Sequence, residues 1–412
     1  MFNSYWKAGD VRLLRKTLRA VLSIIIILSC LLCNFEVWAD DTNEDEPIRD
    51  FNGSGSIETT GNKLPRVSAE SAIVLDMATG RVLYEKNAYT RHSIASTTKI
   101  MTAIVALENG NDEEDVVISK RAAAIGGSTV NLKEGKTYKF KDLMYAMMLR
   151  SGNDAAIAIA EHIGGSVELF AEMMNRKAAE IGATNTNFVT PHGLDDPQHY
   201  STPYDLALIT QYALRNEKFC EIVGTKNSVF QGSNISNTNE MLGLYPGADG
   251  VKTGYTGQAG RCLVTSVTKN NWRIISIVLG CPTRTVRAQS SKILLDYAFE
   301  NFKNYEYIKK GQPLQQLDVH KGVLDKVPIY SDSDITLPLK QEEVDKVKII
   351  YNLPEVIEAP LKSGMKIGTA NYVLDGKLLA TTDLKNLETV GRKDFYFYFD
   401  SIFKTWARLV HN

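Results

Sequence analysis

Two β-hairpin patterns bracket a long run of helical ones, and this arrangement most constrains the fold. Ser71 to Met77 and Arg81 to Glu85 are short apolar runs about the turn Ala78-Thr79-Gly80. Far downstream, Arg261 to Thr268 and Trp272 to Gly280 flank Lys269-Asn270-Asn271 in the same way. The periodic segments between them read as helices over Thr97 to Leu107, Lys141 to Leu149, Asp154 to Ile163, Val167 to Ile181 and Pro203 to Arg215. Thr202 supplies an N-cap with Pro203 at the first helical position, and Gly182 ends the preceding helix. A further helix runs from about Thr285 to Phe302. Strands at both ends of one unit and helices between predict an α/β (α+β) fold, a single antiparallel sheet covered by helices. The two ends of that unit, 67–304, then meet in its core.

The 412 residues exceed a usual single core. From 305 to 390 the texture changes to short β-prone runs such as Lys346 to Tyr351 and Tyr372 to Leu379 with an Asp375-Gly376 turn, which predicts a small β-rich domain. At the N-terminus Arg12, Arg15, Lys16 and Arg19 precede the apolar run Ala20 to Cys33 and the site Val37-Trp38-Ala39. This predicts a secretory signal over 1–39, its apolar run being shorter than the about 20 residues a membrane span needs. Residues 40–66 are acidic, then rich in Gly, Ser, Thr and Asn, and read as a flexible linker.

In the tail, 391–412, Tyr396, Phe399, Ile402, Phe403, Trp406, Leu409 and Val410 recur at helical spacing opposite Asp400, Lys404 and Arg408. That is the pattern of an amphipathic helix lying in a membrane surface; a terminal helix packed on its own domain is the alternative. A net charge of -1 leaves no basic footprint for nucleic acid. Beyond the signal only Cys220, Cys262 and Cys281 remain, too few for a disulfide framework though enough for one bridge. No Cys-x-x-Cys and no Cys/His cluster suggests a metal, and no cofactor is expected.

Three short elements carry chemistry: Ser96-Thr97-Thr98-Lys99, Ser151-Gly152-Asn153 and Lys252-Thr253-Gly254. With Ser96 opening a helix, Lys99 falls on the same face one turn on and brings an amine to a hydroxyl that needs a base. Lys99 serves only when neutral, so its pKa must fall from about 10.4, as burial and a second cation such as Lys252 would make it. The spacing alone is weak evidence, since Ser4 to Lys7 and Ser401 to Lys404 match it too. Only the copy at Ser96 opens a core helix with the other two elements downstream. Ser151 suits a proton relay and Asn153 a substrate carbonyl, while the glycines about Lys252 let a peptide approach a strand closely.

The ordered trio resembles that of penicillin-binding proteins and serine β-lactamases. Together with Ser93-Ile94-Ala95 before the serine, Thr190-Pro191-His192-Gly193-Leu194-Asp195, and Asp249-Gly250-Val251 before Lys252, the chain looks like a low-molecular-mass penicillin-binding protein, a D-alanyl-D-alanine carboxypeptidase. The resemblance implies a β-lactamase/transpeptidase-like domain, a β-rich second domain and an amphipathic C-terminal anchor. It implies peptidoglycan stem peptides ending in D-Ala-D-Ala as substrate, β-lactams as covalent inhibitors, and work at the extracytoplasmic face of the membrane. Ser96 would then be acylated, Lys99 would take its proton, and the amides of Ser96 and Tyr255 would form an oxyanion hole. Thr253 and Arg287, with Arg284 as the weaker choice, would bind the terminal carboxylate. Ile94 stands where the family more often has proline, and Tyr255 where histidine is common after Lys-Thr-Gly.

Three other readings compete. A D,D-endopeptidase acting on cross-linked peptides shares the chemistry. A serine β-lactamase lacks support because no Glu-x-x-x-Asn element is convincing; Glu172 to Asn175 has the wrong spacing. An inactive wall-binding homologue fits poorly with intact Ser96, Lys99, Ser151, Asn153 and Lys252.

Overall fold

The computed structural model describes residues 64–410; the signal peptide and nearly all of the linker expected from the sequence lie outside the described residues. The two hairpins join in one five-stranded antiparallel sheet. Its strands are β1 (Ser71–Asp76), β2 (Val82–Lys86), β3 (Ala248–Thr256), β4 (Gly260–Lys269) and β5 (Trp272–Cys281), in the order β2-β1-β5-β4-β3. β1 pairs with β5 along its whole length, from Ser71 opposite Leu279 to Asp76 opposite Ile274. The sheet is covered on both faces, which explains the nearly unbroken apolar run of β5. Ile73, Leu75, Ile275 and Ile277 face one cluster, and Ala72, Val74, Ile274 and Val278 the other.

Helices α1 (Lys99–Asn109), α2 (Phe140–Leu149), α3 (Asn153–Gly164), α4 (Val167–Ile181) and α5 (Pro203–Ala213) build the first cluster, and α6 (Arg284–Asn301) covers the opposite face. Local chemistry sets their ends. The Ser166 side chain accepts from Leu169 N at the start of α4, and Gly182 closes it at φ 91°. Thr202 accepts from Asp205 N ahead of Pro203.

One boundary differs from expectation. The helix begins at Lys99, and Ser96 lies in a 3₁₀ turn, Ala95–Thr98, entered through Ala95 at φ 46°. This left-handed entry interrupts helical winding, so Ser96 sits on a tight bend rather than in the first α-helical turn. A further hairpin, Asn227–Phe230 with Ser233–Ser236, escaped the sequence because its strands are mostly exposed and polar, with no alternation to read.

Asp115–Val117 pairs with Thr137–Lys139 as a further small sheet, and the strands from Lys303 onward form a second unit. Six pair in the order Lys348–Asn352, Lys366–Leu374, Lys377–Asn386, Lys326–Ser331, Pro313–His320, Val356–Glu358, and Lys303–Ile308 pairs with Ile335–Leu339. Val327, Ile329, Leu337, Leu339, Tyr372 and Leu384 are buried between them. Arg81, at the turn before β2, joins the units by pairing with Glu343 at 2.7 Å and donating to Pro338 O. The tail forms a helix, Phe395–Val410, on which Phe395, Tyr396, Phe399, Ile402, Phe403 and Trp406 are all exposed.

Buried Asp76 ties the first hairpin to the second. It accepts from Thr79 N (2.7 Å), Thr79 Oγ1 (2.6 Å) and Trp272 Nε1 (2.7 Å). Asp76→Ala leaves a buried indole N–H unpaired and should lower stability by about 1–3 kcal/mol, read as a drop in thermal midpoint. An unchanged midpoint would show that this bond does not hold the hairpins together.

Candidate active site

Two of the three elements named from the sequence meet at one buried amine, and the third passes beside Ser96. Lys99, the first residue of α1, has no solvent exposure. Its Nζ donates to Ser96 Oγ at 2.8 Å, to Asn153 Oδ1 at 2.8 Å and to the carbonyl of His192 at 3.0 Å. Asn153 opens α3 and is itself fixed by Nδ2 donating to Gly126 O at 2.8 Å. Its carbonyl thus faces Lys99, and only the second of its two N–H groups is left for a substrate carbonyl.

Ser151 joins α2 to α3 at φ 61°, a conformation that a serine rarely adopts. The side chain is buried, and its hydroxyl has no hydrogen-bond partner among the described residues. An unpaired buried hydroxyl is costly unless something uses it, which suits a proton relay.

Lys252, Thr253 and Gly254 lie on β3, the edge strand, so one side of this strand is not paired within the sheet. Lys252 is buried and donates to Thr253 O at 3.0 Å; Thr253 Oγ1 lies 2.8 Å from Thr238 Oγ1. A Cβ on Gly254 would stand 2.9 Å from the amide nitrogen of Ser96, so only glycine lets the strand pass this close to the nucleophile. On the other side, a Cβ on Gly193 would meet Ala95 O at 2.0 Å, at φ 85°. The bend carrying Ser96 is therefore clamped between two glycine backbones.

Comparison with known proteins agrees with this geometry. A family profile described as D-alanyl-D-alanine carboxypeptidase matches residues 58–283, and one described as penicillin-binding protein 5, C-terminal domain, matches residues 302–392. The chain belongs to the D-alanyl-D-alanine carboxypeptidase family. It is 34% identical over 351 residues to the D-alanyl-D-alanine carboxypeptidase DacF of Bacillus subtilis, covering 82% of this chain and 90% of the relative. It is 34% identical to the carboxypeptidase DacA of Escherichia coli strain K12, over 83% of this chain and 88% of that one. The solved penicillin-binding protein 5 of Haemophilus influenzae superposes with a TM-score of 0.71 at 34% identity, over 81% of this chain and 100% of that one.

Within this carboxypeptidase fold, two of the expected site residues have unexpected partners. Arg287, on the first turn of α6, is wholly buried and engaged by Glu240: Nε donates to Oε1 at 3.1 Å, and Nη2 to Oε1 at 2.7 Å and Oε2 at 2.8 Å. It is thus not an open guanidinium awaiting a carboxylate. Arg284, the weaker choice, is half-buried at the start of the same helix. Tyr255 sits under Arg261, whose Cζ lies 3.9 Å from the ring centroid. Cys220, Cys262 and Cys281 are all free thiols, so the one bridge the sequence left open is not formed among them.

The sequence reading missed how the segment 189–199 holds this site. Besides the His192 carbonyl on Lys99, Pro191 O accepts from Thr102 Oγ1 at 2.6 Å. His199 Nδ1 accepts from Val189 N at 3.0 Å, so its proton is on Nε2, 2.8 Å from Thr98 Oγ1, which in turn donates to Ala95 O. The sequence marked Thr190 to Asp195 as part of the resemblance but gave no sign of these backbone contacts.

Burial pushes His199 down to about 4; burial, then the Lys99 charge, pushes His192 down to about 3. Both are therefore neutral in the folded protein at pH values where the unfolded chain, near 6.5, takes up protons. Their contribution to stability is full above about pH 6.5 and declines as pH falls toward about 4 for His199 and about 3 for His192. Melting temperature should drop over this window, and His199→Gln should lessen the slope. A flat profile in both proteins would contradict neutral burial.

Proposed function

We propose that the chain is a serine D-alanyl-D-alanine carboxypeptidase that removes the terminal D-alanine from peptidoglycan pentapeptide stems through an acyl-enzyme on Ser96. The observation that carries this reading is the 2.8 Å contact between the fully buried Lys99 Nζ and Ser96 Oγ. Ser96 Oγ attacks the carbonyl of the penultimate D-Ala as its proton passes to neutral Lys99. The amides of Ser96 and Tyr255 receive the developing oxyanion, consistent with how closely Gly254 approaches Ser96 N. Ser151 relays a proton to the departing D-alanine amine, with Lys252 as the neighbouring cation. Water then enters, Lys99 again takes a proton, and the ester is hydrolysed.

Asn153 holds Lys99 and the substrate amide together, and Thr253 binds the terminal carboxylate, which Arg287 attracts at a distance while it stays paired with Glu240. A β-lactam follows the same first step, but its leaving amine stays tethered to the acyl group and hinders deacylation.

In this reading the tail helix anchors the enzyme at the extracytoplasmic membrane surface. Among the described residues no helix is long and apolar enough to cross a membrane. The exposed aromatic side chains from Phe395 to Trp406 suit insertion at the headgroup level. Near the membrane, uncross-linked pentapeptide is at hand, which favours carboxypeptidase over endopeptidase action.

Fluorescent penicillin should label the wild type covalently, and Ser96→Ala should take no label. Lys99→Arg should acylate at least about a hundredfold more slowly, because a guanidinium stays charged. Substantial labelling of either variant would refute the assigned roles. With pentapeptide the purified protein should release free D-alanine; cleavage of cross-linked dimer without D-alanine release would reverse the choice of reaction. Removal of residues 391–412 should abolish co-sedimentation with phosphatidylglycerol vesicles, and retained binding would place the membrane contact elsewhere.

A further inference from the structure

We propose that Glu240 determines how strongly this enzyme demands a free terminal carboxylate in its substrate. The inference rests on the reading above, in which Arg287 attracts that carboxylate. Glu240 and Arg287 form a bidentate pair with side-chain exposures of 5% and 0%. A carboxylate at hydrogen-bond distance from a guanidinium cancels most of its field, and in a poorly solvated site water does not do so first. The place that a substrate carboxylate would take on Nε and Nη2 is filled by the protein's own.

The pair lies close to the substrate-binding strand. Thr238, two residues before Glu240, touches Thr253 Oγ1 through its own Oγ1, and two residues of extended chain span at most roughly 7 Å. Thr238 N also donates to Leu149 O at 3.0 Å, at the end of the helix that leads into Ser151. Asn239 Oδ1 accepts from Met241 N at 3.1 Å, and Asn237 Oδ1 from Asn239 N at 2.9 Å. The segment is therefore built rather than loose, and Glu240 is held where its charge opposes that of an incoming anion beside Thr253.

A carboxylate bound at Thr253 thus meets a nearly neutral Glu240–Arg287 pair rather than a bare cation. The chemical class favoured is a D-Ala-D-Ala peptide whose C-terminal carboxyl group is of reduced importance, including one capped as an amide. Replacing Glu240 by glutamine keeps the shape and a hydrogen-bond acceptor but restores the positive field of Arg287.

The test compares ligands that differ only in that charge. Ser96 acylation by benzylpenicillin and by its methyl ester is followed by intact mass, and kcat/KM is measured for an acyl-D-Ala-D-Ala peptide and its C-terminal amide. In Glu240→Gln the preference for the free carboxylate should rise about tenfold or more in both pairs. Glu240→Gln/Arg287→Gln, which leaves no lone buried charge, should lose the gain. An unchanged ratio in Glu240→Gln, or a rise that persists in the double variant, would overturn the inference. Because the penicillin pair reports on acylation alone, the inference stands or falls even if the wild type fails to release D-alanine, an outcome that would instead refute the proposed reaction.

Discussion

The buried amine of Lys99 is the constraint on which the rest of the site depends. An amine with no exposure must find oxygen acceptors inside the protein, because an unmatched polar group in the interior costs several kcal/mol. Its acceptors include Ser96 one turn back and two groups far away in the chain, Asn153 at the head of α3 and the His192 carbonyl. Satisfying Lys99 therefore assembles the site. These oxygens hold the nitrogen 2.8 Å from the Ser96 hydroxyl, the contact on which the proposed mechanism rests.

Close backbone approach is the second determinant. Gly254 on the edge strand and Gly193 in the 189–199 segment press on the bend Ala95–Thr98 from two sides, and a methyl group at either position would collide with it. The strained φ of Ala95 is held by this packing. The sheet matters because it is rigid: β3 is anchored through β4 and β5 to β1, so the edge that faces the substrate is backed by a core buried on both faces. Under the proposed mechanism Tyr255 can stand in place of histidine because the oxyanion hole would ask only for its amide, and its ring is stacked beneath Arg261.

Charge in this site is arranged in matched and unmatched groups. Lys99 and Lys252 are both buried beside the nucleophile, and His192 and His199 are kept neutral by burial, so they add no further positive charge. On the other face of the sheet Arg287 is answered by Glu240. The two buried lysines and Arg287 thus lie on separate elements, and Arg287 has a counter-charge of its own.

The sequence by itself determined the two hairpins, the helices between them, the β-rich second unit and the ordered trio Ser96 to Lys99, Ser151 to Asn153 and Lys252 to Gly254, because these rest on periodicity, caps and short spacings. Helix ends at Gly182 and Pro203 were legible for the same reason. The tertiary structure alone decided that Ser96 rides a 3₁₀ bend, that the His192 carbonyl completes the shell of Lys99, and that Arg287 is sealed against Glu240. None of these has a local signature. A backbone carbonyl is the same in every residue, a buried ion pair joins positions far apart in the chain, and a helix start shifts by three residues when packing holds one alanine at positive φ.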